Sequence, residues 1–172
     1  MLLNTCLIMM LLYLLYQDWR YRAVYWALFP LLLCLFVSYT LRASTLTGLL
    51  ENSLYNLAFI ASQLIFLSLY FSIKYKRWVN ITRQHLGLGD VLFLICAAFC
   101  FSPCNYFAFY IISLLGSALL ALFMLARNRG KGWTVPLAGL QALFLALTLL
   151  ADWNIEKFSI NSDEWLLTNL YQ

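Results

Sequence analysis

The sequence predicts an all-α integral membrane protein, a bundle of six transmembrane helices with both termini on the outer side. Hydrophobic residues fill 64% of the 172 positions and charged residues only 10%, whereas a soluble domain is nearer half apolar and a quarter charged. A soluble fold of this length could not hide so much apolar surface. The apolar residues are also gathered into runs that approach the length of a bilayer crossing, about 20 residues for a hydrocarbon core of ~30 Å. Basic and acidic residues, finally, sort onto opposite ends of those runs.

Taken in order, the first span is expected over about Leu2 to Gln17, ending at Asp18. It has neither a basic leading region nor a small-residue cleavage site, so it is expected to be retained. The second should cover about Ala23 to Leu41, the third Leu54 to Ile73, and the fourth, the shortest, Leu88 to Pro103. The fifth should run from Tyr106 to Ala126 and the sixth from Val135 to Ala151. Residues 1–151 then form one membrane domain and 152–172 an outer amphipathic tail, where Leu166, Leu167 and Leu170 stand at helical spacing beside Trp165.

Orientation follows from the Lys and Arg residues. Connections after the first, third and fifth spans share one side, and they hold nine of the eleven basic residues: Arg20, Arg22, Lys74, Lys76, Arg77, Arg83, Arg127, Arg129 and Lys131. Only Arg42 and Lys157 fall on the other side. This asymmetry accounts for the net charge of +4 without nucleic acid, and basic loops also suit anionic lipid head groups. Trp19, Trp26, Trp78, Trp133, Trp153 and Trp165 fall mostly near span ends, as an interfacial belt requires.

The five cysteines include no C-x-x-C pair, so zinc is not indicated. Cys96, Cys100 and Cys104 are spaced to share one helix face as small apolar residues. Ser113, Gly116, Ser117 and Gly139 suit close helix packing.

Five of the seven acids, Glu51, Asp152, Glu156, Asp163 and Glu164, are assigned to the outer side. The other two are Asp18, closing the first span, and Asp90, opening the fourth behind Gly87-Leu88-Gly89. Both should lie at the cytoplasmic face, at about one depth. A carboxylate at the edge of hydrocarbon is costly and points to function. The glycines allow backbone conformations that other residues resist and a close approach by another segment. If the first and fourth spans pack side by side, the carboxylates should fall within roughly 4–6 Å and share a proton. One can then serve as general base on a water while its protonated partner donates to a carbonyl oxygen. The plainer alternative is that Asp18 pairs with Arg20 or Arg22 and that Asp90 caps a helix.

Gly87-Leu88-Gly89-Asp90 resembles the G-x-G-D motif of membrane aspartyl proteases. Asp18-Trp19-Arg20-Tyr21-Arg22-Ala23-Val24 is similar to the stretch around the first aspartate of type IV prepilin peptidases, and Thr134-Val135-Pro136-Leu137-Ala138 resembles the start of that family's last helix. The resemblance covers nearly the whole chain in order and spacing. It implies a short-form peptidase of the bacterial inner membrane that cuts the basic leader from prepilins or pseudopilins, in pilus or secretion systems. Asp18 and Asp90 carry over as the catalytic pair and Gly87 and Gly89 as the turn positioning Asp90. Arg20, Arg22, His85 and Pro136 are candidates for contacting substrate or orienting the pair. Water is the nucleophile, so no cofactor or metal is implied. Longer members carry a zinc-cysteine insertion and methylate the new terminus; with only Trp19 to Arg22 between Asp18 and the second span, neither is expected. The chain also departs from the family by having Val24-Tyr25-Trp26 where Ile-Pro-Asn is common, and Leu92 where a basic residue is. The competing classes are an inactive scaffold for a pilus-like assembly and a small ion-coupled transporter; the latter would more naturally carry acids at mid-span.

Overall fold

The computed structural model describes residues 2–76, 87–127, 136–155 and 158–164. Among these residues it contains six α-helices and no strand. They are α1 (Leu2–Tyr21), α2 (Leu28–Thr40), α3 (Leu46–Tyr75), α4 (Leu88–Ala97), α5 (Pro103–Arg127) and α6 (Leu137–Asn154). Four of them, α1, α3, α5 and α6, are long and apolar enough to cross a membrane. At 1.5 Å per residue, the 13 residues of α2 and 10 of α4 make rods of only about 20 and 15 Å.

The expected boundaries shift for local reasons. α1 continues past Asp18 because its stop signal is Arg22, in the left-handed region at φ 51°, whose N–H closes on the Asp18 carbonyl at 3.0 Å. Residues 23–25 are not helical, so α2 begins at Leu28 instead of Ala23. α3 starts well before Leu54 because the Thr45 side chain caps it, accepting the Gly48 N–H at 3.2 Å. α5 opens with Pro103, whose missing N–H costs nothing in a first turn.

The largest departure is the end of α4. A span reaching Pro103 was expected, but the helix stops at Ala97 and turns through residues 98–100. Irregular backbone inside an apolar bundle is tolerated only where protein satisfies it. Here Asn56, 2% exposed, donates to the Ala98 and Phe101 carbonyls, both at 2.9 Å. Thr40 donates to the Phe99 carbonyl at 2.9 Å, and the Tyr106 hydroxyl reaches the Leu94 carbonyl at 3.1 Å. The break also divides the three cysteines expected on one face. Cys96 is in α4, Cys100 is buried in the turn, and Cys104 is exposed in α5.

Chain direction alternates from helix to helix. α1 makes its most extensive packing with α6; α4 sits between α2 and α6; and α5 packs against α3 and α6. The core is built from leucine, phenylalanine and alanine on these inner faces, including Leu7, Leu11, Phe36, Phe93 and Leu145. Outward faces carry exposed apolar residues such as Ile65, Phe66, Ile112 and Leu119, as a surface in contact with lipid would. The Gly116 backbone lies directly under the Phe144 ring, where any Cβ would collide. At the end farthest from Asp18, residues 158–164 fold back over the bundle. Ile160 is fully buried, its N–H held by Asp152 at 2.9 Å and its carbonyl bonded to the Ser102 N–H at 2.9 Å. Leu166, Leu167 and Leu170 of the expected tail helix lie outside the described residues.

Asn56→Leu should destabilise the protein by about 1–3 kcal/mol, because two buried carbonyls lose their donor. Ser62→Ala, which removes only a hydroxyl bonded to its own helix, should cost under about 0.5 kcal/mol. Denaturant unfolding in mixed micelles compares the two, and equal costs would contradict the bridging role of Asn56.

Candidate active site

The buried stripe of α1 runs through Leu7, Leu11 and Leu14 and ends on Asp18, which is 8% exposed. These positions recur at helical spacing, so Asp18 continues the face that α1 turns to the bundle. That face meets α6, whose Ala138, Gly139, Ala142 and Ala146 are small and buried. The close approach leaves Asp18 against the first turn of α6, where its Oδ2 accepts the Gly139 N–H at 2.6 Å. A Cβ at Gly139 would stand 3.1 Å from both the Cβ and Oδ2 of Asp18.

Asp90 reaches the same turn from the other side. It is the third residue of α4, behind Gly87 in the N-cap position. Its carboxylate folds back toward the Gly87 N–H and also faces the Ala138 N–H. The Asp90 carboxylate thus lies on the side of the N-cap, in the direction that a capping box uses. Asp18 thus accepts the Gly139 N–H, Asp90 lies toward the preceding Ala138 amide, and the Asp18 carboxylate is close enough to act on Asp90 electrostatically.

Why α6 receives them is local. Pro136 takes the N-cap position, buried, with φ −73°, and has no N–H of its own. The free donors are then those of the first turn, where the helix dipole adds partial positive charge. Each carboxylate gains about 0.3–1 kcal/mol there, rising to ~2 where partly buried.

The two aspartates open onto one cleft of about 680 Å³. Its walls include Arg22, Val24, Trp26, Phe29, Leu92 and Pro136. Val24, Trp26 and Leu92 stand where the resemblance led to different residues, so the departures give the cleft apolar walls. Among the described residues no three of His, Cys, Asp and Glu gather as a metal site would require.

The sequence-derived candidates thus separate. Asp18, Asp90, Gly87, Gly89, Arg22 and Pro136 all border the cleft, while Arg20 is exposed and does not line it. His85 lies outside the described residues. Side-by-side packing of α1 and α4 was expected to join the aspartates. Instead each helix packs against α2 and α6, and α6 makes the junction. The glycines also differ from expectation. Gly87 has φ −65° and ψ 135°, open to any residue, and what it supplies is space, since a Cβ would meet the Asp90 Oδ2 at 2.9 Å. At Gly89 the nearest atom, in the Phe29 ring, is 3.8 Å away, an ordinary contact. Gly139, read from the sequence only as a packing residue, is the one that admits Asp18. Its position three residues after Pro136, in the first turn of the last helix, was the available signal.

No family model, curated protein or solved structure matches this chain.

Alanine substitutions should rank the glycines by what their Cβ meets. Gly139→Ala should cost about 1–3 kcal/mol through overpacking against α1. Gly87→Ala should cost less, because only the mobile end of Asp90 must swing away. Gly89→Ala should be neutral or stabilising by up to about 1 kcal/mol, the helix-propensity difference. Unfolding of the purified variants tests the order; a Gly89→Ala protein weaker than Gly139→Ala would contradict it.

Proposed function

We propose that the chain is a membrane aspartic-type endopeptidase that removes the basic leader of prepilin-like proteins, with Asp18 and Asp90 activating water as one unit. The observation that supports this most is the convergence of both carboxylates on the first turn of α6, at the wall of one cleft. Like charges 4 Å apart near a protein surface repel by about 4 kcal/mol. At that separation the repulsion exceeds the ~0.3–2 kcal/mol that a carboxylate recovers from a helix end. A pair sharing one proton is the favoured arrangement, and it supplies both a base and an acid.

In the proposed reaction the ionised carboxylate takes a proton from water as the oxygen attacks the scissile carbonyl. The protonated partner donates to the carbonyl oxygen, giving a neutral tetrahedral diol. Collapse returns a proton to the departing amine and restores the shared-proton state. The amides of Ala138 and Gly139 hold the pair in place throughout. Neither a metal nor an organic cofactor takes part, and methyl transfer is not assigned.

The wider proposal has all six helices crossing a bacterial cytoplasmic membrane, with α2 and α4 completed by the irregular segments at their ends. Both termini lie outside and the cleft opens to the cytoplasm, where the described Arg20, Arg22, Lys74 and Lys76 also cluster at helix ends. The substrate arrives with a basic leader in the cytoplasm and an apolar segment in the membrane. Arg22 at the cleft is suited to its backbone carbonyls, and the apolar walls to the start of its membrane segment.

Asp18→Asn and Asp90→Asn should each abolish cleavage of such a leader, and the double variant should be no worse, since effects within one unit are not additive. Asn retains an oxygen that accepts the Gly139 N–H, so folding and membrane level should persist. Wild-type cleavage by well-folded Asp90→Asn protein would end the protease reading. Wild-type protein that folds, binds partners and never cleaves would favour the scaffold. Cleavage should also be bell-shaped in pH, its two limbs belonging to the pair.

A further inference from the structure

Behind Asp90 lies a second, smaller cavity of about 110 Å³, between α3, α4, α5 and α6. Asp90 and Leu137 belong to its wall and to that of the cleft, so the two spaces adjoin at the carboxylate. Leu64, Leu94 and Leu114 make it mostly apolar. Polar groups on its wall are Asp90, Gln63, Tyr110 and Gln141 of α6, and of these Gln141 is fully buried with both its Nε2 and Oε1 lacking a hydrogen-bond partner.

An amide buried with neither atom paired is costly, and few native side chains are left so. Leucine of similar volume at this position would remove the penalty. The retained amide presents one donor and one acceptor side by side. The backbone N–H and C=O of a single residue in an extended segment present the same pair in reverse, as between neighbouring strands. A helical segment does not, because its own ladder has used those groups. Side chains of an extended segment alternate in direction, so a neighbouring residue points into the apolar space. A cavity of about 150 Å³ holds a benzene molecule, so this one takes a single aliphatic side chain, and the backbone that bears it lies at the mouth, where Asp90 and Leu137 border both spaces.

We infer that Gln141 and this cavity form a peptide subsite: the side-chain amide pairs with the backbone of an extended substrate segment, and one aliphatic side chain enters beyond Asp90. The subsite rests on the protease reading and adds the substrate's conformation and the apolar residue beside the cut. It also assigns Gln141 a specificity-determining role rather than a structural one.

The test uses the full chain in detergent micelles and a fluorescent synthetic peptide, a lysine-rich leader joined to a segment that begins with leucines. Binding is measured by anisotropy on the Asp90→Asn background, where the peptide stays whole, and cleavage on the wild-type background. Gln141→Leu should weaken binding about tenfold while the melting temperature stays level or rises, because an unpaired buried polar group has gone. Leu64→Phe, which fills the cavity without touching the cleft, should weaken binding similarly. Replacing the peptide's first leucines by tryptophan should do the same to the wild-type protein. Unchanged binding in both variants would overturn the inference, leaving water or a lipid chain in the cavity. A lower melting temperature in Gln141→Leu would overturn it as well, since that marks a structural residue, and so would failure of the peptide to bind at all. Binding that depends on Gln141 in a protein that never cleaves would sustain the subsite and sink the protease reading, which separates the two.

Discussion

The structure turns on the first helical turn of α6. Its free N–H groups need acceptors, and two carboxylates that hydrocarbon would otherwise exclude need donors. The Gly139 amide meets this need for Asp18, and the adjacent Ala138 amide faces Asp90. The arrangement dictates much else. α6 must be thin where α1 crosses it, which explains Gly139 and the alanines below. The helix must begin without a competing N–H, which Pro136 ensures. α4 must begin at the same level, so its N-cap lies beside that turn and Asp90 borders the cleft from the first turn of α4.

A second constraint acts at the other end of α4. The helix stops at Ala97, and the carbonyls of the turn that follows would be stranded in an apolar interior. Asn56 and Thr40, from helices on either side, take up those carbonyls. Residues 158–164 close the same end through Ile160 and Asp163, which bond to Ser102. The cleft lies at the other end, beside Asp18 and Asp90.

Gln141 stands apart from this accounting. Every other buried polar side chain discussed here has a partner: Asn56 and Thr40 hold carbonyls, while Ser113 and Ser117 bond to their own helix. Among the described residues Gln141 leaves both atoms of its amide unpaired one turn below the aspartates, while Asn161 leaves only its Oδ1 so. Stability is traded for binding most often where a ligand is meant to complete the hydrogen bonds.

The sequence by itself determined the class of structure. A chain this apolar, with its charges confined to the ends of long runs, is helical and built for lipid, because hydrocarbon leaves the backbone no other simple way to satisfy itself. It also marked Asp18 and Asp90, since an acid bordering an apolar run stands out in composition alone, and Pro136 as the start of the last helix. What it could not determine was how the pair is joined. Side-by-side packing of the first and fourth helices was the natural expectation from their equal depth, yet α6 holds both carboxylates, through amides whose identity no side-chain pattern reveals. The early stop of α4 was hidden for the same reason: the carbonyls of the turn beyond it are bonded by Asn56 and Thr40, far away in the chain. Gly139 and Gln141 likewise read as ordinary residues of an apolar helix. Only the tertiary structure decides which backbone groups are left free, which side chains reach them, and which polar atoms remain without a partner.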